Sequence, residues 1–156
     1  MQDLNKFRQC LSKFATGVTV VTCTNGQGDL FGITANSFSS VSLDPPLILW
    51  NIAKVSNSVE IFLSAEYFAI NILASEQQKE SQLFARSEHN LFEGVEYDLD
   101  ANRVPLLRNT LAHLSCRTYD VHEAGDHHTV FGEVTSYCAK DASPLLFFNG
   151  SYQSIQ

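Results

Sequence analysis

Gly32–Ile52 reads GITANSFSSVSLDPPLILWNI. Its first nine residues, Gly32 to Ser40, are mostly small and uncharged, and they lead into a double proline and then a very apolar run. A strand held by its side chains is richer in bulky residues, and a solvent loop carries more charge. Thr34, Ala35, Asn36 and Ser37 are small or carry short polar groups. Two readings stay open at this point. One is a small-residue strand packed beneath a helix. The other is a strand end that opens into a loop, so that backbone N–H and C=O groups face a flat, polar partner.

Working outward, the residues before this stretch form a hairpin with it. TGVTVVTCT (Thr16–Thr24) is rich in β-branched residues and reads as a strand; NGQGD (Asn25–Asp29) is the turn, and LFGITANSF (Leu30–Phe38) is the return. After it, PPLILWNI (Pro45–Ile52) is an apolar strand with a proline-set entry, and Asn57-x-x-Glu60 marks a weak helix start before VEIFL. YFAINIL (Tyr67–Leu73) is a further strand. Ser75-x-x-Gln78 resembles a capping box and opens a helix through Leu83 and Phe84. Glu88–Arg108 reads as irregular. LAHLSCRTYDVHE and HTVFGEVTSYCA, joined by EAGDH, predict a long hairpin, and PLLFF (Pro144–Phe148) a last short strand. At the other end, Leu4, Phe7, Leu11 and Phe14 recur on one face of a short helix. Six or more strands joined mainly by hairpins, with two or three short helices, predict a mainly β protein built on a closed or nearly closed antiparallel barrel. A doubly wound parallel sheet needs strands alternating with helices, and that pattern is absent.

The chain has 156 residues, 44% of them hydrophobic and 17% charged, which fits one domain spanning residues 1–156. The polar N-terminus lacks the apolar core of a signal peptide, and no long apolar run spans a membrane, so the expected compartment is the cytoplasm. A formal charge of −7 argues against a nucleic-acid surface. Cys10, Cys23, Cys116 and Cys138 form no C-x-x-C pair and read as reduced, mostly buried thiols.

The motifs divide into spurious and serious ones. Gly26-x-Gly28 comes after a strand, but the next glycine, Gly32, is one residue too far for a dinucleotide fingerprint, and the residues beyond it are β-rich; a hairpin turn is the reading. The ITANSFSS stretch suits a flavin, whose pyrimidine edge presents donors and acceptors on a flat apolar ring. AKVSNSVE sets Lys54, Ser56, Asn57 and Ser58 ahead of a helix, either as a phosphate cradle or as a simple cap. Arg86 could add charge there or lie on the solvated surface. EAGDHHT and its preceding histidine gather His122, Glu123, Asp126, His127 and His128, but with no second cluster of ligands a metal is not expected; a substrate-facing loop and a polar turn both remain. Tyr152 in the terminal GSY is a packing or pocket aromatic. No Ser-His-Asp set or nucleophile elbow is found, and no residue is assigned as a catalytic acid or base.

Taken together, FATGVTVVT, GITANSFSSVSLDPPLILWNI, YFAINIL, QLFA, AGDHHTVFGEV and PLLFFNGSY, in this order and spacing, resemble the short-chain flavin reductase family, the reductase components of two-component flavin monooxygenases. The resemblance implies an FMN-binding split-barrel fold and a homodimer that binds FMN or FAD and uses NADH or NADPH as electron donor. It implies that Thr34, Ala35, Asn36 and Ser37 line the flavin ring, with Ser39 and Ser40 close to its tail. Ala53, Lys54, Ser56 and Ser58 would serve the ribityl-phosphate region, and Phe84 and Ala85 would flank the cofactor. His127 of Gly-Asp-His would lie near the nicotinamide, with Tyr152 closing the same pocket. The implied activity is hydride transfer from a nicotinamide nucleotide to flavin, for delivery to a partner monooxygenase. A flavin-binding module or redox sensor with little reductase activity is the alternative, and a split-barrel binder of haem or a pyridoxal-type ligand a third. The chain departs from the family's basic-flanked terminal tyrosine, since Gly150-Ser151-Tyr152-Gln153 carries no arginine.

Overall fold

The computed structural model describes residues 3–88 and 90–155. Helix α1 (Leu4–Leu11) is capped by the Asp3 carboxylate, which accepts from the N–H groups of Asn5 at 3.0 Å and Lys6 at 3.4 Å. The first half of the chain then runs through β1 (Thr16–Gly17), β2 (Thr19–Thr24), β3 (Leu30–Ala35), β4 (Ser39–Leu43), β5 (Pro46–Ala53), α2 (Val59–Ser64) and β6 (Tyr67–Ile72). A 3-10 turn, Ser75–Gln77, leads into α3 (Gln78–Phe84), followed by β7 (Tyr97–Leu99), β8 (Pro105–Leu107), β9 (Ala112–Ala124), β10 (His127–Ala139), β11 (Leu146–Phe148) and β12 (Ser151–Gln153).

Seven strands make one antiparallel sheet in the order β3-β2-β6-β9-β10-β5-β4. Two hairpins organise it. The β2–β3 turn is tied by the Asn25 side-chain carbonyl, which accepts from Gln27 N–H and Asp29 N–H at 2.9 Å each, with Gly28 at φ 87°. This is the Gly26-x-Gly28 motif, and it is a turn. The long β9–β10 hairpin reverses at Gly125, φ 62°. The sheet brings the end of β3 back to β5, where Ser37 Oγ accepts from Asn51 N–H at 2.9 Å and donates to Asn51 C=O at 3.3 Å. One hydroxyl there does what a ladder partner would do.

β2 is buried along nearly its whole length, as its β-branched composition predicts. Its alternate residues feed two cores. Val21 and Cys23 enter the larger one with Trp50, Phe62, Phe68, Ile70 and Val130. Val20, with Val18 from just before the strand, enters the second with Leu73, Phe84, Leu107 and Leu145. Trp50 meets Phe62 edge to face at 5.2 Å.

The structure revises several local expectations. The strand expected over Leu30–Phe38 stops at Ala35, because Asn36–Phe38 leave the ladder to bridge toward β5, and Ser39–Leu43 form a strand of their own. Glu88–Arg108 is not all irregular: β7 and β8 pair as a ribbon pinned by Asn71. The Asn71 amide donates to Val20 C=O at 3.0 Å and Thr22 Oγ1 at 3.1 Å, and its Oδ1 accepts from Leu107 N–H at 2.8 Å. Gln77, not Gln78, supplies the cap, accepting from Ala74 N–H at 3.1 Å while its amide donates to Arg108 C=O at 2.8 Å. Two of the four thiols are exposed, Cys10 and Cys138; burial pushes Cys23 and Cys116 up to about 12. Helix α1 carries Leu4, Phe7 and Leu11 but ends before Phe14, and all four side chains are exposed.

Candidate functional site

β3 is an edge of the sheet, so the N–H and C=O groups along its outer side have no strand partner. Two cavities lie along it. The smaller, about 510 Å³, is lined by Ile33 and by Thr34, Ala35, Asn36 and Ser37 from the end of the strand. Ala53 and Ser56 close it from the end of β5, and His127 from the start of β10. The larger, about 740 Å³, begins at the shared residues Ile33 and Ser56 and continues past Ser58, Phe84, Ala85 and Arg86. Most of the residues singled out from the sequence are therefore gathered from four separate segments into one continuous cleft.

Several of these residues have a visible reason for their position. Thr34 Oγ1 donates to Ser81 C=O at 2.6 Å, which ties the strand end to α3. Ser37 is fixed by its two bonds to the Asn51 backbone. Gly32 is small because Phe84 lies on it: a Cβ there would stand 2.5 Å from Phe84 Cδ1. Phe84 is thus a core side chain whose position also shapes the cleft. Ser58 precedes α2 yet makes no side-chain cap bond, and its Oγ stands 3.3 Å from Ser56 Oγ. Ser58 Oγ is not used in capping, and Ser56 Oγ accepts from Ser58 N–H at 3.4 Å.

His127 sits at the mouth of the smaller cavity. Its Nδ1 pairs with Asp126 Oδ1 at 2.7 Å, which holds the Asp126 carboxyl below its ordinary range and leaves Nε2 for another partner. Lys54 does not line either cavity. Its ammonium is paired with Glu123 across the hairpin, holding that carboxyl low, and its N–H donates to Asp126 C=O at 2.9 Å. Ser39 and Ser40 lie on exposed β4, outside both cavities, and Ser39 Oγ donates to Ser40 C=O at 3.0 Å. Tyr152 is not brought to His127: its hydroxyl bonds Ser81 Oγ at 2.8 Å and its ring packs against Phe147 at 5.4 Å.

Sequence reasoning missed Asn51 and Thr129, which line the smaller cavity side by side, Thr129 Oγ1 donating to Asn51 Oδ1 at 2.7 Å. The signal that would have found them is register. Thr129 is paired with Asn51 one two-residue step from the His127–Ala53 pair, on the same face of the sheet.

The donor set fits a flavin: an unpaired strand edge offers alternating donors and acceptors to a planar heterocycle, and uncapped hydroxyls lie where a tail would run. Among the described residues no group of three or more His, Cys, Asp or Glu side chains is placed to hold a metal, and no helix is long and apolar enough to cross a membrane.

Comparison with known proteins agrees with this geometry. The flavin reductase like domain model matches residues 11–156. The chain is similar to the FMN reductase (NADH) SmoA of Agrobacterium fabrum, 41% identical over 151 residues covering 97% of this chain and 86% of that protein. It is also 41% identical over 155 residues to the reductase component of the flavin-dependent trigonelline monooxygenase of Acinetobacter baylyi; there it covers 97% of its own length and spans half, 50%, of the relative. The structure of the Streptomyces globisporus NADH:FAD oxidoreductase SgcE6 with NAD and FAD fragments superposes with a TM-score of 0.94 at 33% identity, covering 99% of this chain and 93% of that one. With the fold, the open strand edge and these relatives in agreement, the chain belongs to the flavin reductase like domain family.

Proposed function

We propose that this protein is an NAD(P)H:flavin oxidoreductase that reduces FMN or FAD and delivers reduced flavin to a partner monooxygenase. The observation that carries the reading is the two-part cleft along the unpaired edge of β3, with His127 at its mouth. Bound flavin supplies the hydride acceptor. The backbone from Thr34 to Ser37 supplies fixed donors and acceptors to the pyrimidine edge, already in place before the reaction. Ala53 is small enough to let the ring approach, and Ser56 and Ser58 offer hydroxyls to the ribityl-phosphate tail. Phe84 and Ala85 wall the cleft. Ser39, Ser40 and Lys54 line neither cavity, and their part at the tail rests on the resemblance to flavin reductases alone.

His127 orients the nicotinamide nucleotide through Nε2, with Asp126 fixing the ring. It is not assigned as an acid or base, because hydride transfer consumes no proton at that position. Tyr152 acts on the donor side through Ser81 and Thr34, which connect it to the cleft wall. The exposed stripe of Leu4, Phe7, Leu11 and Phe14 supports a homodimer, since so much contiguous apolar surface is disfavoured on an isolated chain. The reading places the enzyme in the cytoplasm, with the reduced nicotinamide pool.

The test is NADH oxidation followed by absorbance, with FMN and FAD each in excess. Rapid flavin-dependent oxidation is expected, and His127→Ala is expected to raise KM for NADH or lower kcat. Flavin binding without oxidation would move the assignment to a flavin-binding module.

A further inference from the structure

The β5–β10–β9 register places a second histidine beside the site. His127 is paired with Ala53 and with Ala124; two residues along, Thr129 is paired with Asn51 and with His122. Residues directly opposed in an antiparallel ladder share a face, with Cβ atoms about 5 Å apart. His122 therefore lies on the face that forms the cavity floor, next to Thr129, one step of about 7 Å along the strands from the His127 row. It repeats the construction of His127. Asp120 Oδ2 pairs with its Nε2 at 2.8 Å, and this bond holds the Asp120 carboxyl below its ordinary range. Its ring packs on Phe131 at 5.3 Å, and its side chain is 62% exposed.

Charge makes this second pair significant. Of the described residues lining the smaller cavity, His127 alone can carry positive charge. Lys54 is engaged by Glu123, and Arg86 belongs to the larger cavity. A dinucleotide donor with its nicotinamide at His127 brings two anionic phosphates that must be met somewhere on the rim.

We propose that His122, positioned by Asp120 and Phe131, is a second anchor for the electron donor and receives the pyrophosphate that links the nicotinamide half to the adenylate half. The proposal rests on the reductase reading above. It gives the enzyme a means of preferring a dinucleotide to a mononucleotide donor without a Rossmann domain.

The experiment compares wild type, His122→Gln and His122→Arg with NADH and with reduced nicotinamide mononucleotide, which lacks the adenylate half. Calorimetric binding of ADP-ribose gives a readout independent of turnover. His122→Gln is expected to raise KM for NADH and Kd for ADP-ribose about fivefold, the size of a charge-assisted hydrogen bond at a half-exposed site, with KM for the mononucleotide unchanged. His122→Arg is expected to restore both. Unchanged NADH and ADP-ribose constants, or an equal rise for both donors, overturn this proposal alone. A wild-type protein that oxidises neither donor overturns the reductase reading and this proposal with it.

Discussion

β3 and β4 are the two edges of the same seven-stranded sheet, and each carries a row of unpaired N–H and C=O groups. β4 is short, mostly exposed and broken by a register shift between Ser40 and Ser42, which twists the edge and spoils it as a template for another strand. β3 has no such irregularity. It is half-buried along its whole length, sheltered by Phe84 from α3 and, beyond it, by Phe92 and Tyr97, whose rings continue the contact at 5.0 and 5.5 Å. An edge that is neither blunted nor paired, but covered at a distance by other side chains, is an edge kept available for a ligand. The difference between the two strands lies in the cover, and the cover can be removed.

The largest effect is expected where the cover is fastened. Asn71 ties the β7–β8 ribbon to β2 with three buried hydrogen bonds, one from Leu107 of the ribbon and two to Val20 and Thr22, supported by Thr22 Oγ1 donating to Pro105 C=O at 2.5 Å. Asn71→Ala strands Leu107 N–H and Val20 C=O in the interior, at a cost of about 3–5 kcal/mol. Urea denaturation measures this. The next effect is at the contact itself. Gly32→Val forces Phe84 from its place and costs about 2–3 kcal/mol, whereas Ser40→Val on the exposed edge changes stability by less than about 0.5 kcal/mol. Equal costs at the two positions would erase the distinction between the edges.

How much of this was legible before the structure depends on where the determining partner lies. β2, β5 and the β9–β10 hairpin were readable because β-branched runs and turn residues are local signals. The ribbon was not, since Tyr97–Leu99 and Pro105–Leu107 are held by an asparagine that sits, with no local mark, inside YFAINIL. Ser37 and Ser39 look alike in ITANSFSS, yet one closes the sheet and the other lies on its exposed edge; register alone separates them. Lys54 was legible as a cation, but its partner Glu123 comes from a strand far along the chain. The resemblance to flavin reductases supplied what local patterns could not, the gathering of Thr34–Ser37, Ser56 and His127 around one cleft.

A smaller effect is expected at the hinge between the edges. Ser37→Ala leaves the N–H and C=O of Asn51 without their shared partner, at a cost of about 1–2 kcal/mol, and frees the loop that forms the ring end of the cleft. The KM for flavin should rise more than the loss of stability alone explains. Ser39→Ala is the control on the other edge, where the hydroxyl bonds its own neighbour's carbonyl, and no change is expected.

The smallest effect separates orientation from stability at the cavity mouth. The Asp126 carboxyl is depressed chiefly by its hydrogen bond from His127, and both groups are solvent-facing. A depressed carboxyl contributes stability above its unfolded pKa of about 3.9 and loses it as the pH falls through the folded value. Asp126→Asn should therefore differ from wild type in Tm by a small, constant amount at neutral pH, and the two should converge below about pH 4. Screening by water keeps that gap near the limit of detection. Orientation is not screened in the same way, because without the carboxylate the His127 ring loses the partner that fixes Nδ1. If Asp126 positions His127 for the donor, KM for NADH rises in Asp126→Asn at neutral pH while Tm scarcely moves; a Tm loss with no change in KM would make the pair a structural feature of the hairpin turn.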